Sequence, residues 1–320
     1  MKKNNFFTGA LILSIGGVLA KIFSAIYRIA LTRILGGEGI GLYQLVFPLY
    51  SLCVVLATAG LPMAISKVIS RNKNCQAQVV KKCMALTSLI ALIIAFVLAS
   101  CSKPLAMLQG AKEIWICYFI LAPTIILITA SSVFRGYFQG AGYFSPSTVS
   151  TTVEQFVKLL VGLILCSVLV RVSLFAAIVG AMIAIAASEI ISLVVLLIYF
   201  GRNLPTNKDE NKSVSVKQIF KDILPITLTN VILPISGFVD SLLVVNLLAI
   251  NFGKSMAIFM YGVESGAVSS LIGLPTIFSF AIASVLLPSL AGNGHIFNKT
   301  YKLAFALKIV LIITVPCVIC

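Results

Sequence analysis

Apolar stretches of about 20 residues recur along this chain, separated by short polar joints, and each is long enough to cross the roughly 30 Å hydrocarbon core of a bilayer as a helix. The runs are continuous rather than alternating, which excludes the strands of a membrane β-barrel. A lipid environment also offers backbone N–H and C=O groups no partners, so a span of this kind has to satisfy its own hydrogen bonds as a helix. Composition agrees: 60% of residues are hydrophobic and 10% charged, with a mean hydropathy of +1.10. A soluble domain carries far more charge. The fold class implied is all-α, a polytopic bundle of transmembrane helices.

Nine spans can be drawn, at about residues 8–32, 39–66, 84–101, 114–134, 147–170, 174–200, 219–250, 261–290 and 303–320. The first follows two lysines and lacks a small-residue cleavage site, so it reads as a retained helix rather than a leader. Placing the N-terminus in the cytosol puts fifteen Lys and Arg residues on that side: Lys2, Lys3, Lys67, Arg71, Lys73, Lys81, Lys82, Arg135, Arg202, Lys208, Lys212, Lys217, Lys221, Lys299 and Lys302. Only Arg33, Lys103, Lys112, Arg171 and Lys254 then face outward, as expected when positive loops stay inside. The excess of 24 Lys+Arg over 9 Asp+Glu is thus a record of topology, and nucleic acid is not the expected partner. The surrounding lipids are.

The joint over residues 201–217 is the most polar in the chain and reads as a cytosolic linker. It divides a six-helix lobe, 1–200, from a partial lobe of about three helices, 218–320. After the linker the plan restarts. A long helix with Asp240 leads through a glycine turn to Tyr261, as the helix with Arg28 leads past Gly36, Gly37 and Gly39 to Tyr43. Six helices per unit preserve orientation, so this would be a parallel repeat. The chain ends inside its ninth apolar run and reads as an unfinished bundle.

Eight cysteines lie mostly within spans, with Cys75 and Cys83 in a basic joint, and imply no disulfide framework. Cys317 and Cys320 form a lone C-x-x-C without a second pair, and His295 is the sole histidine. Metal, redox and enzymatic chemistry all lack the clusters they need, and no resident cofactor is expected.

Ionisable groups at helix centres cost about 2.5 to 3.5 kcal/mol each on insertion scales, so they mark bundle interiors or aqueous cavities. Ser14, Lys21, Ser24, Arg28 and Thr32 share one face of the first span. A cationic stripe there calls for an anion, although Arg28 and Arg33 could also snorkel to the interface. In the fifth span Glu154 and Lys158 stand at i, i+4, where they can neutralise each other along the helix. Ser145 and Pro146 read as its N-cap and first position. Glu189 is alone in the sixth span. Asp240 shares a face with Thr229 and Ser236, and Glu264 stands beside Ser265, Ser269, Thr276 and Ser279. Such oxygen-rich faces suit a coupling Na⁺ or H⁺, or serve as close-packing contacts between helices. Prolines at 48, 62, 225, 234, 275 and 288 interrupt the long helices, as a protein that bends during a transport cycle would use.

Four segments carry a resemblance. The stretch GGVLAKIFSAIYRIALTRILGGEGIGLYQLVFPLYSLCVVLATAGLPMAISKVIS, together with residues 131–163, 224–244 and 261–290, resembles the stage V sporulation protein B family and related polysaccharide flippases. More distantly it is similar to lipid II flippases and to multidrug and toxin extrusion (MATE) proteins. The resemblance implies a MATE-like fold of two lobes around a cavity that opens alternately to either side of the inner membrane. It implies an undecaprenyl-pyrophosphate-linked saccharide as cargo, moved in spore cortex or envelope synthesis, with wall-synthesis enzymes as partners. By the same resemblance Lys21 and Arg28 would line the substrate site and Asp240 would hold the coupling cation; from their own positions Glu154 and Lys158 are further candidates for binding substrate, and Glu264 for binding the cation. A cation-coupled multidrug exporter and a non-transporting scaffold are the alternatives. Cationic drugs would favour acidic cavity faces.

Overall fold

In a computed structural model the described residues are 6–71, 76–202, 216–268 and a few positions between 304 and 312. The expected ninth span, most of the eighth, the 201–217 linker beyond Arg202 and before Val216, His295, Cys317 and Cys320 lie outside them. Among the described residues nine α-helices follow in order: α1 (Phe6–Thr58), α2 (Leu61–Arg71), α3 (Gln76–Ser100), α4 (Ser102–Leu108), α5 (Trp115–Ala141), α6 (Phe144–Leu169), α7 (Leu174–Arg202), α8 (Val216–Phe252) and α9 (Lys254–Gly262). A 3₁₀ turn, Lys112–Ile114, precedes α5, and a π-helical turn, Val263–Val268, continues α9. No strand occurs among the described residues, and their long helices are apolar enough to span a membrane. The chain is a multi-pass membrane protein.

The 53 residues of α1 would measure about 80 Å as one rod at 1.5 Å per residue. That is more than twice an apolar core, and the helix is in fact two spans joined at Gly36, where φ is 65° and ψ −173°. A side chain would be strained at that φ. The expected first and second spans are therefore correct in number but meet at a single residue. The second span ends sooner than expected: the break falls at Gly60, φ +75°, and residues 61–71 form a separate amphipathic α2 with Pro62 in its first turn.

Gly253, which joins α8 to α9, has φ 78° and ψ 161°, close to the values at Gly36. Two residues beyond each glycine lie Glu38 and Ser255, and the Ser255 hydroxyl donates to Glu38 Oε1 at 2.9 Å. The two glycine joins thus meet through the residues two positions beyond each. Below this contact α9 lies directly on the second half of α1. A Cβ on Gly262 would come within 2.3 Å of the Gly37 carbonyl oxygen, and one on Gly41 within 2.1 Å of that of Ile258. Small residues let two backbones touch, as membrane helices do where apolar burial supplies no drive.

Buried polar contacts fix the rest. The Gln109 amide donates to the Leu45 carbonyl at 2.9 Å and to Ser241 Oγ at 3.0 Å, while Tyr118 donates to Gln109 Oε1. The Thr227 hydroxyl donates at 2.9 Å to the Ala59 carbonyl beside the Gly60 break, meeting an acceptor that a continuous helix would have used. These contacts bind α8 to the first six spans.

Candidate functional site

The first helix brings Arg28 to the π-helical turn. Its Nη2 donates to the Ser265 carbonyl at 2.6 Å, and Gln44 Nε2 donates to the same oxygen at 3.0 Å. A π-turn displaces its carbonyls from regular i, i+4 pairing, which is why Ser265 can accept two side chains at once. Arg28 Nε is buried without a partner. Its guanidinium faces a neutral acceptor and no carboxylate within ion-pair distance among the described residues. Lys21, two turns earlier on the same face, is exposed. The two cations expected to meet an anion are on one stripe, with Arg28 turned into the junction between α1 and α9.

The second cationic group lies deeper in the first lobe, and here the structure corrects the expected pairing. Glu154 pairs with Arg135 of α5, not with Lys158: Arg135 Nη2 stands 2.6 Å from Glu154 Oε2, with side chains 19% and 12% exposed. The same nitrogen donates to Ser192 Oγ at 2.8 Å, and Ser150 and Ser192 share a 2.8 Å hydroxyl contact. Gln155 Nε2 holds the other carboxylate oxygen at 2.9 Å. Lys158 instead sets its ammonium 5.9 Å from the centroid of the Tyr27 ring, a cation–π contact between α6 and α1, while remaining within electrostatic reach of Glu154.

Arg135 is thus held in an ion pair between α5 and α6, and Glu189 is not isolated: it is 7% exposed and close to Glu154, Arg135 and Lys158. Sequence reasoning missed Arg135 because its partner lies nineteen residues away on another helix. The signal available was its place inside an apolar run, six residues before the α5 end at Ala141. The expected cap also differs. α6 begins at Phe144 after Tyr143, with no side-chain cap, and Ser145 and Pro146 are already in the first turn.

Asp240 is exposed on α8 and Glu264 exposed on the π-turn; both lie within electrostatic reach of Tyr261. Thr229, on the Asp240 face, donates its hydroxyl to its own helix at Pro225 and Ile226. No group of three His, Cys, Asp or Glu side chains converges among the described residues.

Known proteins share this arrangement of helices. An inward-facing MATE multidrug transporter superposes with a TM-score of 0.69 at 18% identity, covering 94% of this chain and 70% of its own. A MOP superfamily transporter from Pyrococcus furiosus superposes at 0.60 with 17% identity, covering 97% of this chain and 70% of its own. At these identities the likeness shows the fold, which is MATE-like. Stage V sporulation protein B of Bacillus subtilis is 27% identical over 91% of this chain and 59% of its own length. The lipid II flippase MurJ of the same organism is 23% identical over 97% of this chain and 63% of its own. The chain spans about three fifths of the length of these curated relatives, which are flippases or sporulation proteins by name rather than enzymes. The sequence pattern of the polysaccharide biosynthesis protein family matches residues 6–314, and the chain belongs to that family.

Proposed function

We propose that this protein moves a lipid-linked saccharide pyrophosphate across the inner membrane by alternating access, with Arg28 and Lys21 as its anion-binding groups. One observation carries the reading: Arg28 is a cation inside the bundle whose acceptor, the Ser265 carbonyl, is neutral. A half-buried guanidinium with a buried, unpartnered Nε and no compensating carboxylate is costly unless an anion reaches it. Phosphate oxygens suit its planar donor fork, and Lys21 adds a compact point charge seven residues away. Substrate would compete with Ser265 for Arg28 and so loosen the α1–α9 junction as it binds.

The names of the relatives support this class of cargo, and a role in spore cortex or envelope synthesis alongside wall-synthesis enzymes extends it. Asp240 and Glu264, either side of Tyr261, would bind a coupling Na⁺ or H⁺ in the second lobe. The N-terminus would be cytosolic, as the basic joints direct.

Binding of an undecaprenyl-pyrophosphate-linked saccharide to the purified protein tests the site. Arg28→Ala should weaken it at least about tenfold, since a hydrogen bond to a charged group contributes roughly 1.5 to 3 kcal/mol. Arg28→Lys should retain part of it. Equal binding by wild type and both Arg28→Ala and Lys21→Ala would remove the anion site, and a scaffold role would then account better for the basic joints.

A further inference from the structure

Packing is incomplete where α8 leans on the first helices. The second span of α1 stops at Gly60, and α8 comes up against that break: a Cβ on Gly60 would lie 3.0 Å from the Cβ of Ile226. The chain turns away there into α2, and α3 stands on the far side. Between α3 and α8 a slot of about 240 Å³ remains. Ala57, Leu61, Cys83 and Thr87, all buried, line its depth, while Leu56 and Leu224 form an exposed rim.

The lining decides what can enter. The Thr87 hydroxyl already donates to the Cys83 carbonyl at 2.8 Å, and that of Thr227 to the Ala59 and Ile223 carbonyls at 2.9 and 3.1 Å. A polar guest would lose its water here without gaining partners. The volume is also below the roughly 300 to 1,000 Å³ of pockets for drug-sized ligands, which suits a single hydrocarbon chain. One group breaks the pattern. Lys82 lines the same slot, is half-buried, and has no ion-pair partner among the described residues. It stands in the polar first turns of α3, beside exposed Lys81 and just before the apolar run that starts at Cys83. Ile90, the lining residue farthest along α3, lies about 12 Å beyond it at 1.5 Å per residue. That approaches half of the roughly 30 Å hydrocarbon core. An ammonium at headgroup depth, with an apolar slot leading inward from it, has the charge and shape to hold one lipid.

We propose that this slot is a binding site for an anionic phospholipid, with one acyl chain between α3 and α8 and the phosphate on Lys82. Lys81 adjoins it, so a lipid of net negative charge is favoured over a zwitterionic one, by about fivefold for each lysine near the membrane surface. The bound lipid touches α3 on one side and α8 on the other, and so supports the angle at which α8 leans on α1 and α2. The slot is separate from the Arg28 site and rests on no reading of the cargo.

Two photoactivatable lipids read the site without any cargo: phosphatidylglycerol and phosphatidylcholine, each with the reactive group on one acyl chain and each present as a trace in phosphatidylcholine vesicles that hold the protein. On illumination the phosphatidylglycerol probe should label α3 within residues 83–90 and α8 within 223–227, about fivefold or more above the phosphatidylcholine probe. Lys82→Gln should remove most of that preference, and Lys82→Arg should keep it. Lys112→Gln, at an exposed lysine outside the slot, should leave it unchanged. Equal labelling by the two probes in wild type, or a preference that survives Lys82→Gln intact, overturns the proposal. So does suppression of the label by undecaprenyl phosphate at a concentration where added phosphatidylglycerol has no effect, because the slot would then hold a polyprenyl chain. Arg28→Ala should label as wild type does, so failure here leaves the anion site untouched, and failure of Arg28 variants to alter cargo binding leaves this site untouched.

Discussion

Arg28 and Arg135 are both arginines within the bundle, yet their surroundings assign them opposite tasks. Arg135 has a carboxylate at 2.6 Å and hydroxyls around it; removing it leaves Glu154 charged and buried, at about 3 to 5 kcal/mol for such pairs. Arg135→Met should therefore markedly lower the melting temperature in detergent. Adding Glu154→Gln should restore much of the loss, since the two changes act on one interaction; equal loss in single and double variants would contradict the pairing. Arg28, bonded to a backbone carbonyl, should behave differently, with Arg28→Ala costing binding far more than stability. Sequence places Lys21 and Arg28 on one stripe because their spacing is a property of one helix. It misassigned Glu154 for the same reason: Lys158 is visible four residues away, whereas Arg135 becomes its neighbour only when α5 and α6 pack.

At the scale of elements, glycines determine where helices stop and how closely they pass. Gly36, Gly60 and Gly253 take positive φ at the joins, while Gly41 and Gly262 carry the α1–α9 contact. Gly262→Ala forces a Cβ to within 2.3 Å of a carbonyl oxygen, and overpacking of this kind costs about 1 to 3 kcal/mol. Gly201→Ala, where a Cβ meets nothing within 4 Å, is the control and should melt as wild type does. A melting temperature unchanged by Gly262→Ala would mean that the two backbones are not in contact. Within the described residues the span positions were legible from hydropathy to within several residues, because length and apolarity are what the bilayer reads. The α6 start was not: Ser145 and Pro146 have the composition of a cap, but the preceding chain already leaves the α5 end at Gly142, and the helix begins one residue before Ser145.

For the whole molecule, the proposed cargo movement depends on topology, since the basic joints set the orientation of the bundle. Single cysteines placed near Lys82 should resist an impermeant thiol reagent in intact cells, and one at Lys254 should react; the reverse pattern would invert the bundle. The division into two lobes was read from the repeat and the polar joint, and residues 203–215 of that joint lie outside the described residues; within the described residues, the glycine joins at 36 and 253 have similar backbone angles. The π-turn that captures Arg28 left no mark in the sequence, because carbonyl displacement depends on how α9 meets α1 rather than on residue type. The account stands most directly on transbilayer movement of a labelled undecaprenyl-pyrophosphate-linked saccharide in vesicles, normalised to inserted protein. Wild type should move it, Arg28→Lys should move it more slowly, and Arg28→Ala should be slower than wild type by about tenfold or more. Equal rates for all three would contradict the claim that Arg28 carries the anionic cargo.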